Sequence, residues 1–255
     1  MLLVVPTETA LSKPKPYLAL LVQDSGGFVT PQFNFSRLPR IVLYSDGTMY
    51  TLSDVTTLQY PGAAVPTIRT KSAAGSVSRI FSAVYRTQLW NSKFNWGTPG
   101  VADVPNTDVT TKSSVRAKPQ NVSIYALGIT GPGLSKRQVV ARKSAATLLN
   151  ELQAFSNKYV YTKSVPTQWV SNRWAFQARE ASYSDSFTNY HDWVGGTLNA
   201  DVSCAVLSAQ DSAELVALLP KINQATQFNS GGKAWDVTLR PLFPHETGCA
   251  SLGYK

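Results

Sequence analysis

The sequence predicts an α+β fold: short antiparallel strands and hairpins with about three helices packed on them. Three observations carry this. Asp46-Gly47 separates Ile41-Val42-Leu43-Tyr44 from Thr48-Met49-Tyr50-Thr51, and Asp-Gly between apolar runs is a strong hairpin signal, with positive φ expected at both turn positions. Three windows have helical apolar spacing, together roughly a quarter of the chain, and the strand candidates between them are short and bounded by turns, against a doubly wound parallel sheet. The unit strand 203–207, helix 211–226, turn Gly231-Gly232, strand 234–239 fits either a βαβ crossover or an antiparallel arrangement.

In order along the chain, residues 1–16 read as a spacer, polar and proline-containing from Pro6 to Pro16, and Met1-Leu2-Leu3-Val4-Val5 lacks the basic n-region and full apolar h-region of a signal peptide. Residues 17–22 are a strand candidate, and the Phe- and Pro-rich stretch from Phe28 to Pro39 reads as a loop. Tyr60-Pro61-Gly62 is a turn and 67–70 a short strand. Ser76 is the expected N-cap of a helix reaching Trp90, with Val77, Ile80, Phe81, Val84 and Leu89 on one stripe. Residues 109–115 and 121–127 alternate as strands. Ser135 caps a second helix to about Ser156, with Ala141, Ala145, Leu148, Leu149, Leu152 and Phe155 at helical spacing. A strand is expected at 174–179. A soft seam at 156–167 divides an N-terminal half, 17–156, from a C-terminal half, 157–255, with one continuous domain as the alternative.

Composition narrows the function. The 255 residues carry 24 Lys and Arg against 15 Asp and Glu, a net +9, yet only 15% are charged and 43% are hydrophobic. That apolar content excludes intrinsic disorder, and two Cys exclude a disulfide-dense miniprotein and a Cys-rich zinc protein. No apolar run is long enough to span a membrane. A surface built largely from Ser, Thr, Asn, Gln and Tyr suits an extracellular setting.

The bases are unevenly placed. Between Asp54 and Asp103 stand five and no acid: Arg69, Lys71, Arg79, Arg86 and Lys93. Between Asp108 and Glu151 stand seven and no acid: Lys112, Arg116, Lys118, Lys136, Arg137, Arg142 and Lys143. Arg116, Lys118, Lys136, Arg137, Arg142 and Lys143 are the candidate anion-binding residues, for a surface facing an anionic cell-envelope polymer or lipid headgroups. Nucleic acid is disfavoured, because it calls for aromatics among the bases and the stretch from Asp108 to Glu151 has only Tyr125.

Signals for chemistry are sparse. His191 and His245 lack metal-ligand spacing, no cofactor or phosphate-cradle motif is present, and no GxSxG stands in the chain. Asp46 is explained by its turn, and Asp103 reads as a loop residue more than an acid catalyst. Cys204 and Cys249 are an even pair whose bridge would close 249 − 204 = 45 residues. Cys204 lies in an apolar run that suits a bridge or a buried thiol equally. Cys249 lies in a polar tail where a lone thiol would be exposed, so pairing is the better reading, with two separate thiols as the alternative.

A set of short motifs adds to this: Gly26-Gly27-Phe28, Leu38-Pro39, Leu43-Tyr44-Ser45-Asp46-Gly47, Leu58-Gln59-Tyr60-Pro61-Gly62, Gly100-Val101-Ala102-Asp103, Tyr125-Ala126-Leu127, Cys204-Ala205-Val206-Leu207 and Arg240-Pro241-Leu242-Phe243-Pro244-His245-Glu246 with Cys249. Their order and spacing, over about residues 18–249, resemble an uncharacterised family of exported, often lipoprotein-like actinobacterial proteins. The resemblance implies export and a Cys204–Cys249 bridge, and implies no activity. The lipobox cysteine of the lipoprotein members has no counterpart here. The function expected is a secreted or cell-surface, non-enzymatic binding or structural module for an anionic envelope partner. An extracellular hydrolase using Asp103 or Glu246 near Tyr60 and tryptophans, and a self-assembling surface or filament subunit, are the alternatives.

Overall fold

The computed structural model describes residues 15–53, 65–161, 164–181 and 189–254. The expected spacer, the Tyr60-Pro61-Gly62 turn and the hydrolase pocket around Tyr60 lie mostly or wholly outside these residues. The fold is α+β, with antiparallel pairing in all but one strand pair.

The first sheet uses β1 (Leu18–Ser25), β2 (Ile41–Tyr44), β3 (Thr48–Leu52), β4 (Ile68–Ser72), β5 (Asn106–Thr111), β6 (Gln120–Tyr125) and β7 (Thr167–Trp169). Their spatial order is β6-β5-β1-β2-β3-β4-β7. The β2–β3 hairpin forms where Asp-Gly marks it, with Leu43 opposite Met49. The connection differs from the expected two-residue turn. Only Gly47 has positive φ (87°), which matches a three-residue Ser45-Asp46-Gly47 link with glycine in the left-handed position. Gly47 is also required by space, since a Cβ there would lie 2.2 Å from Ala74 Cα. The Asp46 carboxylate accepts from Thr48 N (2.9 Å), so the turn does explain this acid.

Strand alternation gives the sheet two apolar faces. Leu20, Val22, Ile41, Leu43, Met49, Val109, Val122 and Ile124 meet α2 (Val77–Arg86) and α3 (Lys136–Gln153) in the main core. Val42, Tyr44, Tyr50, Leu52 and Ile68 face the other way, where Phe243 covers them. The Phe243 ring stacks on Trp169 at 5.2 Å and meets Tyr50 edge-on at 5.7 Å.

The second sheet contains β8 (Trp174–Ala181), β9 (Tyr190–Asp192), β10 (Val202–Val206), β11 (Gln227–Ser230) and β12 (Lys233–Pro241), ordered β10-β8-β12-β11-β9. Of the two readings of the strand–helix–strand unit, the antiparallel α+β arrangement is the one that fits the pairing. β10 and β12 flank β8, each antiparallel to it, and α4 (Ala209–Leu218) lies on the chain between them. Phe176, Trp193, Leu215, Phe228, Trp235, Val237 and Leu239 form this sheet's core.

The seam at 156–167 does not separate two independent packings. β7, from beyond it, completes the first sheet beside β4, and Phe243 closes that sheet's outer face. The Cys204–Cys249 disulfide is present, its Cα atoms 5.9 Å apart, and ties β10 to the 3-10 turn Cys249–Leu252.

Two local expectations are corrected. The Phe28–Pro39 stretch contains α1 (Pro31–Ser36), with Pro31 in the first turn and Thr30 Oγ1 accepting from Phe33 N (3.2 Å), a start signal legible in Thr-Pro. Ser76 makes no side-chain cap bond. Its hydroxyl instead accepts from Tyr161 N at 2.6 Å, because the chain leaving α3 passes beside it.

Candidate functional site: a basic helical face

The strongest charge concentration lies on the helical layer over the first sheet. Ser135 forms the expected cap and completes a capping box: its hydroxyl accepts from Gln138 N, and Gln138 Oε1 accepts from Ser135 N (2.8 Å). α2 and α3 run in opposite directions. Ser76, ahead of α2, meets Tyr161 beyond the end of α3, and Asn95, beyond α2, accepts from Gln138 near the start of α3. The two acid-free stretches of sequence thereby become neighbours in one layer.

The layer exposes Arg79, Arg86, Lys93, Lys136, Arg137, Lys143 and Lys158. Its acid is Glu151, 3.2 Å from Lys158 Nζ. Lys136, Val140 and Lys143 share one outward stripe of α3, spaced by four and three residues. Several cations lie on rings: Arg79 over Tyr161 (4.3 Å to the centroid), Arg137 over Phe94 (5.5 Å) and Lys158 over Tyr159 (5.1 Å). Tyr85 and Trp90 are exposed, their ring centroids 5.2 Å apart and tilted by 54°. The left-handed Gln88 (φ 63°) turns the chain after α2, and the Trp90 indole N–H donates to Tyr85 O (3.2 Å).

These aromatics come from outside the stretch from Asp108 to Glu151, in which only Tyr125 stands. Tyr85, Trp90 and Phe94 interleave with Arg79, Arg86 and Lys93 in sequence, and that signal falls just before the stretch in which only Tyr125 stands. Tertiary packing lays it beside α3.

The six candidate anion-binding residues do not form one patch. Lys136, Arg137 and Lys143 are exposed on α3. Arg116 and Lys118 are exposed in the β5–β6 connection, at the far end of that hairpin from Tyr125, whose carbonyl anchors α3. Six strand residues at about 3.3 Å each set those two ends roughly 17–20 Å apart.

Arg142 is no surface residue at all. It is fully buried, and its guanidinium donates to the carbonyls of Tyr125 (2.7 Å), Trp96 (3.3 Å), Ile129 (3.3 Å), Gly97 (3.5 Å) and Ala126. Trp96, Gly97, Ala126 and Ile129 lie in loops and turns and Tyr125 ends β6, and five N–H donors in a rigid fork collect their carbonyls. Burial pushes the Arg142 guanidinium below its ordinary pKa. Its position was legible, since Arg142, Ala145, Leu149 and Leu152 fall at i, i+3, i+7 and i+10, on the core stripe.

The two candidate acids stand in different settings, neither of them a shared pocket with the tryptophans among the described residues. Asp103 is exposed in a loop at φ 58°. Glu246 is buried, with Oε1 on Arg240 (2.7 Å) and Oε2 accepting from Phe243 N (2.8 Å). His245 Nδ1 lies 2.7 Å from Tyr44 Oη. Burial is the main cause of a lowered His245 pKa, and it pushes the Tyr44 phenol above its ordinary range. The Arg240-to-Glu246 segment is therefore a clasp between β12 and the first sheet. Among the described residues no group of three His, Cys, Asp or Glu side chains gathers to hold a metal ion.

Comparisons with protein-family models, curated proteins and solved structures gave no match to this chain.

Proposed function

We propose that the protein is a secreted or cell-surface, non-enzymatic binding module that engages an anionic cell-envelope polymer through the basic helical face. The observation that carries this reading is the layer itself: among the described residues, seven exposed cations on α2, α3 and their flanking loops, against Glu151, which is already paired. A polyanion gains from such a face by attraction over a Debye length, about 8–10 Å near physiological salt. The disulfide and the resemblance to exported proteins support an oxidising compartment. No helix among the described residues is long and apolar enough to cross a membrane.

An envelope polymer suits the face better than single-stranded nucleic acid. Phe94 and Tyr161 already carry Arg137 and Arg79, and the open pair, Tyr85 and Trp90, is tilted rather than parallel. Successive base stacking wants several free ring faces. The hydrolase alternative gains no support from Asp103 or Glu246, whose environments are an exposed loop and a buried ion pair.

The test is binding of a purified polyol-phosphate wall polymer as a function of salt. Wild type is expected to bind, with affinity falling as salt rises. Replacing Arg86, Lys93, Lys136, Arg137 and Lys143 by Ser is expected to abolish binding without lowering the melting temperature. Unchanged binding in that variant, or tighter binding of single-stranded nucleic acid by the wild type, overturns the reading.

A further inference from the structure

We propose a second binding site, for a neutral, hydroxyl-rich ligand such as a saccharide unit, in a groove on the outer face of the second sheet.

Alternation along β8 and β12 points Trp174, Phe176, Ala178, Trp235, Val237 and Leu239 into the core, and so places Gln177, Arg179, Asp236 and Thr238 on the opposite face. Nearer Ala175 that face is covered by Phe35, Leu242, Leu252 and Tyr254. Among the described residues the remainder forms a groove of about 740 Å³, floored by Gln177, Arg179, Gln227, Asp236 and Thr238 and walled on one side by Tyr254.

A solvated face on an antiparallel sheet is ordinary by itself. Three features set this one apart. Its volume falls within the range of small-ligand sites. Gln227 is only 3% exposed, and its amide nitrogen donates to Asp236 Oδ1 (2.9 Å), yet its Oε1 has no hydrogen-bond partner among the described residues. A buried acceptor without a donor is costly, and it marks this polar cluster as one that packing alone leaves incomplete. Arg179 and Asp236 face each other at 3.5 Å, so the floor holds both charges, and Asp201 at the margin adds one acid.

The chemistry of the floor selects the occupant. An anion would meet Asp236 and Asp201, a cation would meet Arg179, and a hydrocarbon would cover Gln177, Arg179 and Asp236 without offering them a hydrogen bond. Sugar hydroxyls donate and accept at once, and they match planar amide, carboxylate and guanidinium groups set side by side on adjacent strands. The Tyr254 ring, edge-on to Phe35 at 5.5 Å, supplies an aromatic wall against which the C–H face of a sugar ring packs.

This site shares no residue with the basic face, so each stands or falls alone. The experiment is an NMR titration of the intact protein with neutral oligosaccharides of glucose, mannose, galactose and arabinose at millimolar concentration. At least one is expected to shift the Gln177 and Gln227 side-chain amides together with β8 and β12 backbone signals. Asp236→Asn and Gln177→Ala are expected to weaken that binding about tenfold each, as for loss of one hydrogen bond to a charged or preorganised group, with the melting temperature checked for each. No shift with any of the four sugars overturns the proposal. So do shifts confined to Tyr85 and Trp90, or binding unchanged in both variants.

Discussion

The Arg240 guanidinium and the Glu246 carboxylate meet at 2.7 Å with each side chain only 7% exposed, and they do so where the second sheet joins the first. Arg240 also donates to the carbonyls of Phe35 (3.1 Å) and Arg37, so one side chain holds β12, α1 and the closing segment together. Arg173 reinforces the segment by donating to Glu246 O and Thr247 O, both at 3.0 Å.

Removing one partner of this pair strands a buried charge. Glu246→Ala is expected to lower unfolding free energy by about 3–5 kcal/mol in urea melts. The double change Arg240→Met with Glu246→Leu is expected to cost less than the single one, because no charge is left unpaired. A double variant less stable than Glu246→Ala contradicts this account.

His245 makes stability depend on pH. Its pKa in the folded protein is lowered from 6.5, chiefly by burial, with Arg240 acting in the same direction and Glu246 opposing. The unfolded chain therefore binds a proton at this site more readily than the folded one. The contribution is present above about pH 6.5 and is lost as pH falls from there through the folded-state value. The difference in unfolding free energy between wild type and His245→Gln is expected to change with pH across that window and to stay flat above it. Equal pH profiles for the two proteins would refute the assignment.

Arg142 and its surface neighbours on α3 predict opposite phenotypes. Arg142→Met orphans several loop carbonyls and is expected to cost about 3 kcal/mol or more. Lys136→Ser, Arg137→Ser and Lys143→Ser are expected to change stability by no more than about 0.5 kcal/mol. Thermal melts of the four variants, set beside polymer binding, separate the structural cation from the exposed ones.

The disulfide closes 45 residues that include α4, β11 and β12. Replacing Cys204 and Cys249 together by Ser is expected to cost about 4 kcal/mol in the chain-entropy account. Denaturant melts of the oxidised protein and the double variant measure it.

Much of the fold is visible in local patterns. The Asp46-Gly47 hairpin, the Ser135 cap, the apolar stripe of α3 and the Gly231-Gly232 turn each follow from interactions among residues close in sequence. The short strands β7, β9 and β11 were not legible, because three or four residues carry too little periodicity to stand out and are fixed by the strand beside them. Ser76 shows a local signal overridden, since a capping serine can bind any nearby N–H and the Tyr161 amide stands within reach.

By itself, the sequence determined the fold class, the even cysteine pair and the excess of bases in acid-poor stretches, because all three are written in composition, spacing and local conformational preference. The tertiary structure decided how those bases are arranged. Antiparallel packing of α2 and α3 merged two distant stretches into one cationic face, while the same packing drew Arg142 inward to loop carbonyls. Residues such as Gln227 and Asp236 looked unremarkable along the chain, and became a candidate site because strand pairing set them side by side on one face.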